Sequence, residues 1–333
     1  MASSSAFDLN GALARLPRVR LVEWATPVQP LDRLRDALGG AGKGVPRLLI
    51  KRDDLNGIAL GGNKLRKLEW LLADALDRGA DVLLTAGAAQ SNHCRQTAAV
   101  GVMYGVETHL CLRGPAPERS TGNLVLDDWL GARLHFAPEG EDVSAFMAAH
   151  AARLEGEGRK PYVIPIGGSN AIGSVGFAAA VGELAGQGVV PDVIVAATGS
   201  GGTQAGLEVG VRLLWPEQAR VHGIGVALPD TTSWQADVAT LANAVAARLG
   251  ADLIVSPADV TCPMDYMGAK YGVPTAESDA AIRLLARTEG IFLDPVYSAK
   301  AFAGLLDRIA RGIYHPDQTV LFWHTGGTPA LFA

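Results

Sequence analysis

GGNKLRKLEWLLADALDRGADVLLTA, residues 61–86, is the stretch whose reading sets the fold class. Leu65, Leu68, Leu72 and Leu76 recur at helical spacing as one apolar stripe, so Lys64 to Arg78 is predicted as a helix that Gly79 stops. The apolar run Asp81–Ala86 behind it reads as a buried strand. The alternation continues outward from there. Helices are predicted over Ser91–Tyr104, Gly122–Leu130 and Val143–Glu155, then from just after Asn170 to about Leu184. Strands are predicted at Val106–Leu112, Arg133–Phe136 and Tyr162–Ile166. Beyond them come strand Val193–Ala197, helix Thr203–Leu214, strand Val221–Val226, helix Ser233–Leu249 and a short strand Leu253–Val255. Helices Ala276–Glu289 and Ser298–Ala310 and strand Thr319–Trp323 close the pattern. Strands separated by helices of this length imply an α/β chain whose parallel sheets are covered on both faces.

Composition narrows the function. Of 333 residues 48% are hydrophobic and 19% charged, enough apolar material to bury a core rather than remain disordered. A net charge of −5 without a basic run argues against nucleic acid and anionic membrane as partners. No apolar run reaches the roughly 18 residues of a membrane span. Cys94, Cys111 and Cys262 are far apart with no CxxC pair, so a reducing cytoplasm is expected and a disulfide framework is not. Met1–Asn10 lacks a basic segment followed by an apolar one, so no secretory signal is expected. The seven histidines show no HxxxH or HExxH spacing, and no metal site is expected.

Four stretches carry chemistry. Lys64, Arg66 and Lys67 fall in the first turn of a helix, where the dipole disfavours cations. A bound anion would compensate them, although a solvated helix start would tolerate them too. An amine there loses preference for its charged form, which suits a lysine that condenses with an aldehyde. Next, Gly199-Ser200-Gly201-Gly202-Thr203 follows a strand and opens a helix, as a phosphate cradle does. Gln204 breaks G-x-G-x-x-G, so a dinucleotide is disfavoured. Third, Ser91-Asn92-His93 sits at a strand-to-helix turn, where Ser91 is a plausible N-cap and also a plausible proton carrier. Last come Tyr297-Ser298 and the loop His324-Thr325-Gly326-Gly327, where Thr325 could hydrogen-bond a ring nitrogen.

The segments GGNKLRKLE, QSNHCRQ, TGSGGTQAG, YGVPT, DPVYS and HTGG occur in order within Leu16–Phe332. In them the chain resembles the pyridoxal-phosphate enzymes that include D-cysteine desulfhydrase and 1-aminocyclopropane-1-carboxylate deaminase. The resemblance implies the fold-type-II architecture of tryptophan synthase β relatives, with two open, twisted, mostly parallel sheets flanked by helices. Residues 1–66 and 172–333 would form a large cofactor domain, and 67–171 a smaller inserted one. It further implies pyridoxal 5'-phosphate held by Lys64, with Lys67 and Gly199, Ser200, Gly201, Gly202 and Thr203 at its phosphate. Asn92 would bond its phenolic oxygen, Tyr271 would stack on its ring, and Thr325 would face its nitrogen. Ser91, Asn92, His93, Tyr271 and Tyr297 would surround a small amino-acid substrate, with Lys64, Ser91 and Tyr297 catalytic. The deaminases carry glutamine, glutamate and leucine at the positions of His93, Ser298 and Thr325. The last two are thus specificity positions that favour β-elimination from D-cysteine. Cysteate elimination, cyclopropane opening and binding without turnover stay open as alternatives, and a cytoplasmic homodimer is implied.

Overall fold

The computed structural model describes residues 7–227 and 231–333. The reading of Met1–Asn10 as lacking a leader falls partly outside these residues. Along the chain run α1 (Leu9–Ala14), β1 (Val28–Pro30), α2 (Asp32–Ala37), β2 (Arg47–Arg52), α3 (Lys64–Asp77), β3 (Val82–Gly87) and α4 (Asn92–Tyr104). Then come β4 (Glu107–Leu112), α5 (Gly122–Trp129), β5 (Arg133–Phe136), α6 (Val143–Gly156), β6 (Pro161–Ile164), α7 (Ala171–Gly186) and β7 (Val193–Thr198). The chain ends with α8 (Gly202–Leu214), β8 (Arg220–Gly225), α9 (Thr231–Leu249), α10 (Ala276–Glu289), α11 (Ser298–Ala310) and β9 (Thr319–His324).

Among the described residues these strands form two sheets, in the orders β1-β2-β9-β7-β8 and β5-β4-β3-β6. Every pairing is parallel except the antiparallel edge strand β1. Alternation along the strands feeds both faces of the larger sheet. Ile50, Val195 and Phe322 pack under Phe302 of α11, while Leu49, Ile194, Leu321 and Trp323 pack under Phe177 of α7 and Leu207 of α8. In the smaller sheet Leu83 meets α3, and Leu84 and Cys111 meet Met147 of α6. β3 and β7 both end at the turns that carry the polar motifs, so the site forms where the carboxyl ends of the two sheets face each other.

Two differences from the sequence reading have clear causes. Leu253–Val255 is no strand: both backbone groups of Val255 bond the side-chain amide of Asn243 (2.7 and 3.1 Å), which takes the place of a ladder. β1 and β2 were not anticipated. The run Leu48–Leu49–Ile50 is too short for a period, and its strand character comes from pairing with Val320–Phe322 of β9, far along the chain.

A buried ion network ties α3 and α7 to the larger sheet. Arg66 of α3 donates two hydrogen bonds to Asp53 (2.7 and 2.8 Å) and two to Glu183 of α7 (2.9 and 3.0 Å). Lys51 of β2 donates to Glu183 (2.6 Å), and Trp323 of β9 to Asp53 (2.7 Å). Burial opposes the Arg66 charge, but Asp53 and Glu183 outweigh it and hold the guanidinium firmly ionised. Burial would raise the Glu183 carboxyl, yet Arg66 and Lys51 hold it down at about 2. α3 and α7 touch closely enough that a Cβ on Gly176 would lie 2.0 Å from the Arg66 carbonyl oxygen.

Removing one partner of such a network leaves the others charged and buried. Arg66→Met is expected to cost about 3–5 kcal/mol, read as a lower denaturant midpoint with an unchanged slope. Because the folded Glu183 value is depressed, its contribution is complete above 4.5 and disappears as pH falls towards 2. Wild-type stability should fall over that window more steeply than that of Glu183→Gln. Equal slopes would remove Glu183 from the account.

Candidate active site

Between the sheets lies a cavity of about 390 Å³. Its wall brings together Lys64, Ser91, Asn92, His93, Tyr271, Tyr297 and Thr325 with Gly199, Ser200, Gly201 and Thr203. The first residues of α3, α4 and α8 thus converge from three places in the sequence. Lys67 and Gly202 stand just behind this wall, and Ser298 stands apart from it.

Lys64 is the first residue of α3. Its Nζ donates to Asn63 Oδ1 (3.0 Å), and the Asn63 amide donates to Thr203 Oγ1 (3.1 Å), so the amine is tied to the start of α8. Burial pushes the amine down to about 8; Asp294 opposes this, and Arg95 reinforces it. Of the three cations in this turn, Arg66 points away into the ion network, so only Lys64 and Lys67 serve the cavity side. The turn before α3 is strained: Ala59 and Leu60 adopt left-handed backbone (φ 46° and 64°), a cost of about 1–3 kcal/mol each. α4 holds it in place, since Arg95 and Gln96 both donate to the Gly61 carbonyl (2.6 and 2.8 Å) and Gln96 accepts from Leu65 N (2.9 Å).

The start of α8 is an anion cradle. Lys67 is fully buried, and its Nζ donates to the Gly167 carbonyl and Ser169 Oγ (both 3.0 Å). Ser169 Oγ meets Ser200 Oγ (2.8 Å) and accepts from Gly202 N (3.2 Å). A Cβ on Gly202 would lie 2.6 Å from Ser169 Oγ and 2.7 Å from both Lys67 Nζ and Ser174 Oγ. Ser174 Oγ is buried and has no hydrogen-bond partner among the described residues. A lysine, three serine hydroxyls and a helix N-terminus therefore crowd one point where only glycine fits. That donor set suits a phosphate group.

At α4, Ser91 is the N-cap, its Oγ accepting from Cys94 N (3.2 Å) while its own proton stays available. Asn92 Oδ1 accepts from Arg95 (3.1 Å) and Asn123 (2.9 Å), which leaves its amide N–H groups as donors. The fold determines the tautomer of His93. Thr85 gives its one hydroxyl proton to the Ile164 carbonyl (2.8 Å), so His93 Nε2 must donate to Thr85 (3.0 Å). Burial, aided by the charges of Lys64 and Lys67, pushes the His93 pKa well down. The ring is therefore neutral, and its unpartnered Nδ1 is a hydrogen-bond acceptor.

On the opposite side the Tyr271 and Tyr297 hydroxyls touch, and their rings meet edge to face at 5.8 Å. Burial raises both phenols, so both keep their protons at neutral pH. Thr325 lines the cavity, while Ser298 does not: its Oγ donates to Asp294 Oδ1 (2.6 Å) and accepts from Asp294 N (2.8 Å). The sequence reading paired Ser298 with Thr325 as specificity positions; the fold brings only Thr325 to the cavity wall. It also missed Arg113, Asn63 and Trp234 on the wall. The Asn63 signal was its position beside Lys64, whereas Arg113 and Trp234 sit in no motif.

The sequence matches the family model described as pyridoxal-phosphate dependent enzyme over residues 19–326. It is 44% identical to D-cysteine desulfhydrase of Yersinia enterocolitica over 333 residues, covering 98% of each chain. The corresponding protein of Serratia proteamaculans is also 44% identical, over 336 residues and 98% of each chain. Among solved structures, one described as an ACC deaminase homologue superposes with a TM-score of 0.89 at 40% identity, covering 97% of this chain and 96% of that one.

The cradle yields a direct test. Gly202→Ala would press a methyl against Ser169, Lys67 and Ser174, the donors of the cradle. It should raise the dissociation constant for pyridoxal phosphate at least about tenfold, which corresponds to 1.4 kcal/mol. Equilibrium dialysis measures this without turnover, on variant protein whose circular dichroism shows it to be folded. Unchanged affinity would show that the phosphate lies elsewhere.

Proposed function

We propose, since this chain belongs to the pyridoxal-phosphate dependent enzyme family, that it removes the β-substituent of a small sulfur amino acid, with D-cysteine the lead substrate. With water added, the products would be pyruvate, hydrogen sulfide and ammonia. One observation carries the reading: a lysine amine lowered to about 8 and a glycine-built anion cradle open onto the same cavity. The residues fit the cofactor. Lys64 would hold its aldehyde, and Lys67 with Gly199–Thr203 its phosphate. Asn92 would donate to its phenolic oxygen, Tyr271 would lie against its ring, and Thr325 would face its nitrogen. When bound, the cofactor supplies a carbonyl carbon for the amine and a ring that accepts the electron pair left at Cα.

The chain's own groups account for the rest. The lowered amine of Lys64 is part neutral near pH 7, so its Nζ can take the Cα proton once the substrate has displaced it. Ser91 Oγ is engaged by Cys94 N and keeps one proton to give, which suits a carboxylate better than base chemistry. Neutral His93 accepts at Nδ1 and so orients a substrate N–H rather than its carboxylate. Tyr297, protonated and in contact with Tyr271, can deliver a proton to departing sulfur. Arg113, an exposed cation with no carboxylate partner among the described residues, stands on the cavity wall and stabilises an anionic leaving group. It favours one second reading, elimination of sulfite from cysteate. The three cysteines are buried free thiols, in keeping with a cytoplasmic site of action. A homodimer is proposed as the working unit, to be measured by sedimentation equilibrium.

Borohydride reduction followed by peptide mapping is expected to leave the reduced cofactor on Lys64. Lys64→Ala should lose that label and at least about a hundredfold in pyruvate release while keeping its fold. Label on another lysine would overturn the assignment. Assays of D-cysteine, L-cysteine, cysteate and aminocyclopropane carboxylate should give sulfide and pyruvate from D-cysteine fastest. Faster sulfite release from cysteate, lost in Arg113→Gln, would favour the second reading.

A further inference from the structure

His109 of β4, His135 of β5 and His150 of α6 meet on the face of the smaller sheet that α6 covers, outside the cavity. His109 Nδ1 lies 2.8 Å from His150 Nε2 and 3.3 Å from His135 Nε2, and the three nitrogens fall within 4.8 Å of one another. His109 and His150 are buried, and His135 is partly exposed. The rings lie tilted against one another at centroid separations of 4.0–5.1 Å.

Hydrogen bonding alone explains two of the three rings. Glu107 accepts from His109 Nε2–H (3.2 Å), so His109 Nδ1 is an acceptor with one in-plane lone pair. Arg153 can donate to His150 Nδ1 (3.3 Å), and His150 Nε2–H can then donate to His109. His135 Nε2 is directed at that same lone pair and has no role in this relay. The geometry suits a metal better. A tetrahedral ion with metal–nitrogen bonds near 2.05 Å spaces its nitrogens roughly 3.3 Å apart. We propose that His109, His135 and His150 form a binding site for a borderline divalent cation of the zinc class, with its remaining position open to water at the edge of the sheet.

The surroundings support this. Glu107 orients His109 from behind, as carboxylates do for metal-bound imidazoles. Glu107 is itself held by Arg133 and Arg159. Burial lowers all three imidazole pKa values, His135 to about 4, which favours neutral rings near pH 7. Binding requires no proton loss, only that His150 move its proton from Nε2 to Nδ1 and that Arg153 turn away. Arg153 is half exposed and already paired with Glu157, so it has somewhere to go. A bound ion would clip edge strand β5 to β4 and α6.

The test is calorimetric titration of the chelator-treated holoenzyme with zinc, repeated with cobalt and read by visible absorption. One ion per chain, tetrahedral cobalt bands and a raised unfolding midpoint are expected. His135→Gln, at the most exposed position, should weaken zinc binding at least about tenfold and abolish the rise in midpoint, with pyruvate release unchanged. His150→Gln should do the same. No binding by wild type, or binding that survives both substitutions, would overturn the proposal.

Discussion

The pairing of Arg66 with Asp53 and Glu183 is the constraint on which the site depends. It joins β2, α3, α7 and, through Trp323, β9 at one buried point. With Arg66 anchored below, residues 64 and 67 on the same helix must turn towards the other side. Two net cations and two net anions (Lys51, Arg66; Asp53, Glu183) balance there, which is why so much charge can be buried. The strained turn at Ala59 and Leu60 is tolerable for a related reason: Arg95 and Gln96 hold the Gly61 carbonyl from the neighbouring helix.

On the other side of α3 the electrostatics run the opposite way. Lys64 and Lys67 face a helix N-terminus and each other, with no carboxylate bonded to either among the described residues. Burial and mutual repulsion lower the Lys67 amine, and burial lowers Lys64. A site so arranged is short of negative charge until an anion arrives. The unpartnered Ser174 hydroxyl expresses the same deficit in hydrogen bonds. One helix therefore carries a neutralised face that holds the fold and an unneutralised face that is set for a ligand.

The histidine cluster shows how a parallel sheet creates sites at a distance. His109 and His135 are 26 residues apart, yet they project from the same face of adjacent strands, and α6 lowers His150 onto them. Spacing rules for metal sites assume that ligands share a helix or a turn, so they are blind to three ligands on three elements.

Much of the architecture was legible in the chain itself. The Leu65–Leu76 stripe and the β-rich runs between helices specify an α/β chain because helical and extended periods are local properties. GGNK, SNH and GSGGT read as candidate ligand-binding turns because glycine and hydroxyl residues at helix starts have few other uses, and the fold brings all three to one cavity. What the chain could not disclose is where side chains point. Arg66 reads as one of three equivalent cations, and only packing against Glu183, 117 residues later, removes it from the site. Ser298 reads as a partner of Thr325, and only the Asp294 turn withdraws its hydroxyl. The sequence leaves the proton of His93 undecided until Thr85 and Ile164, on two strands, determine it. Arg113 and the histidine trio carry no local signal at all. Local sequence determines backbone state, but direction, protonation and proximity arise from contacts between residues far apart in the chain, and only the tertiary structure decides those.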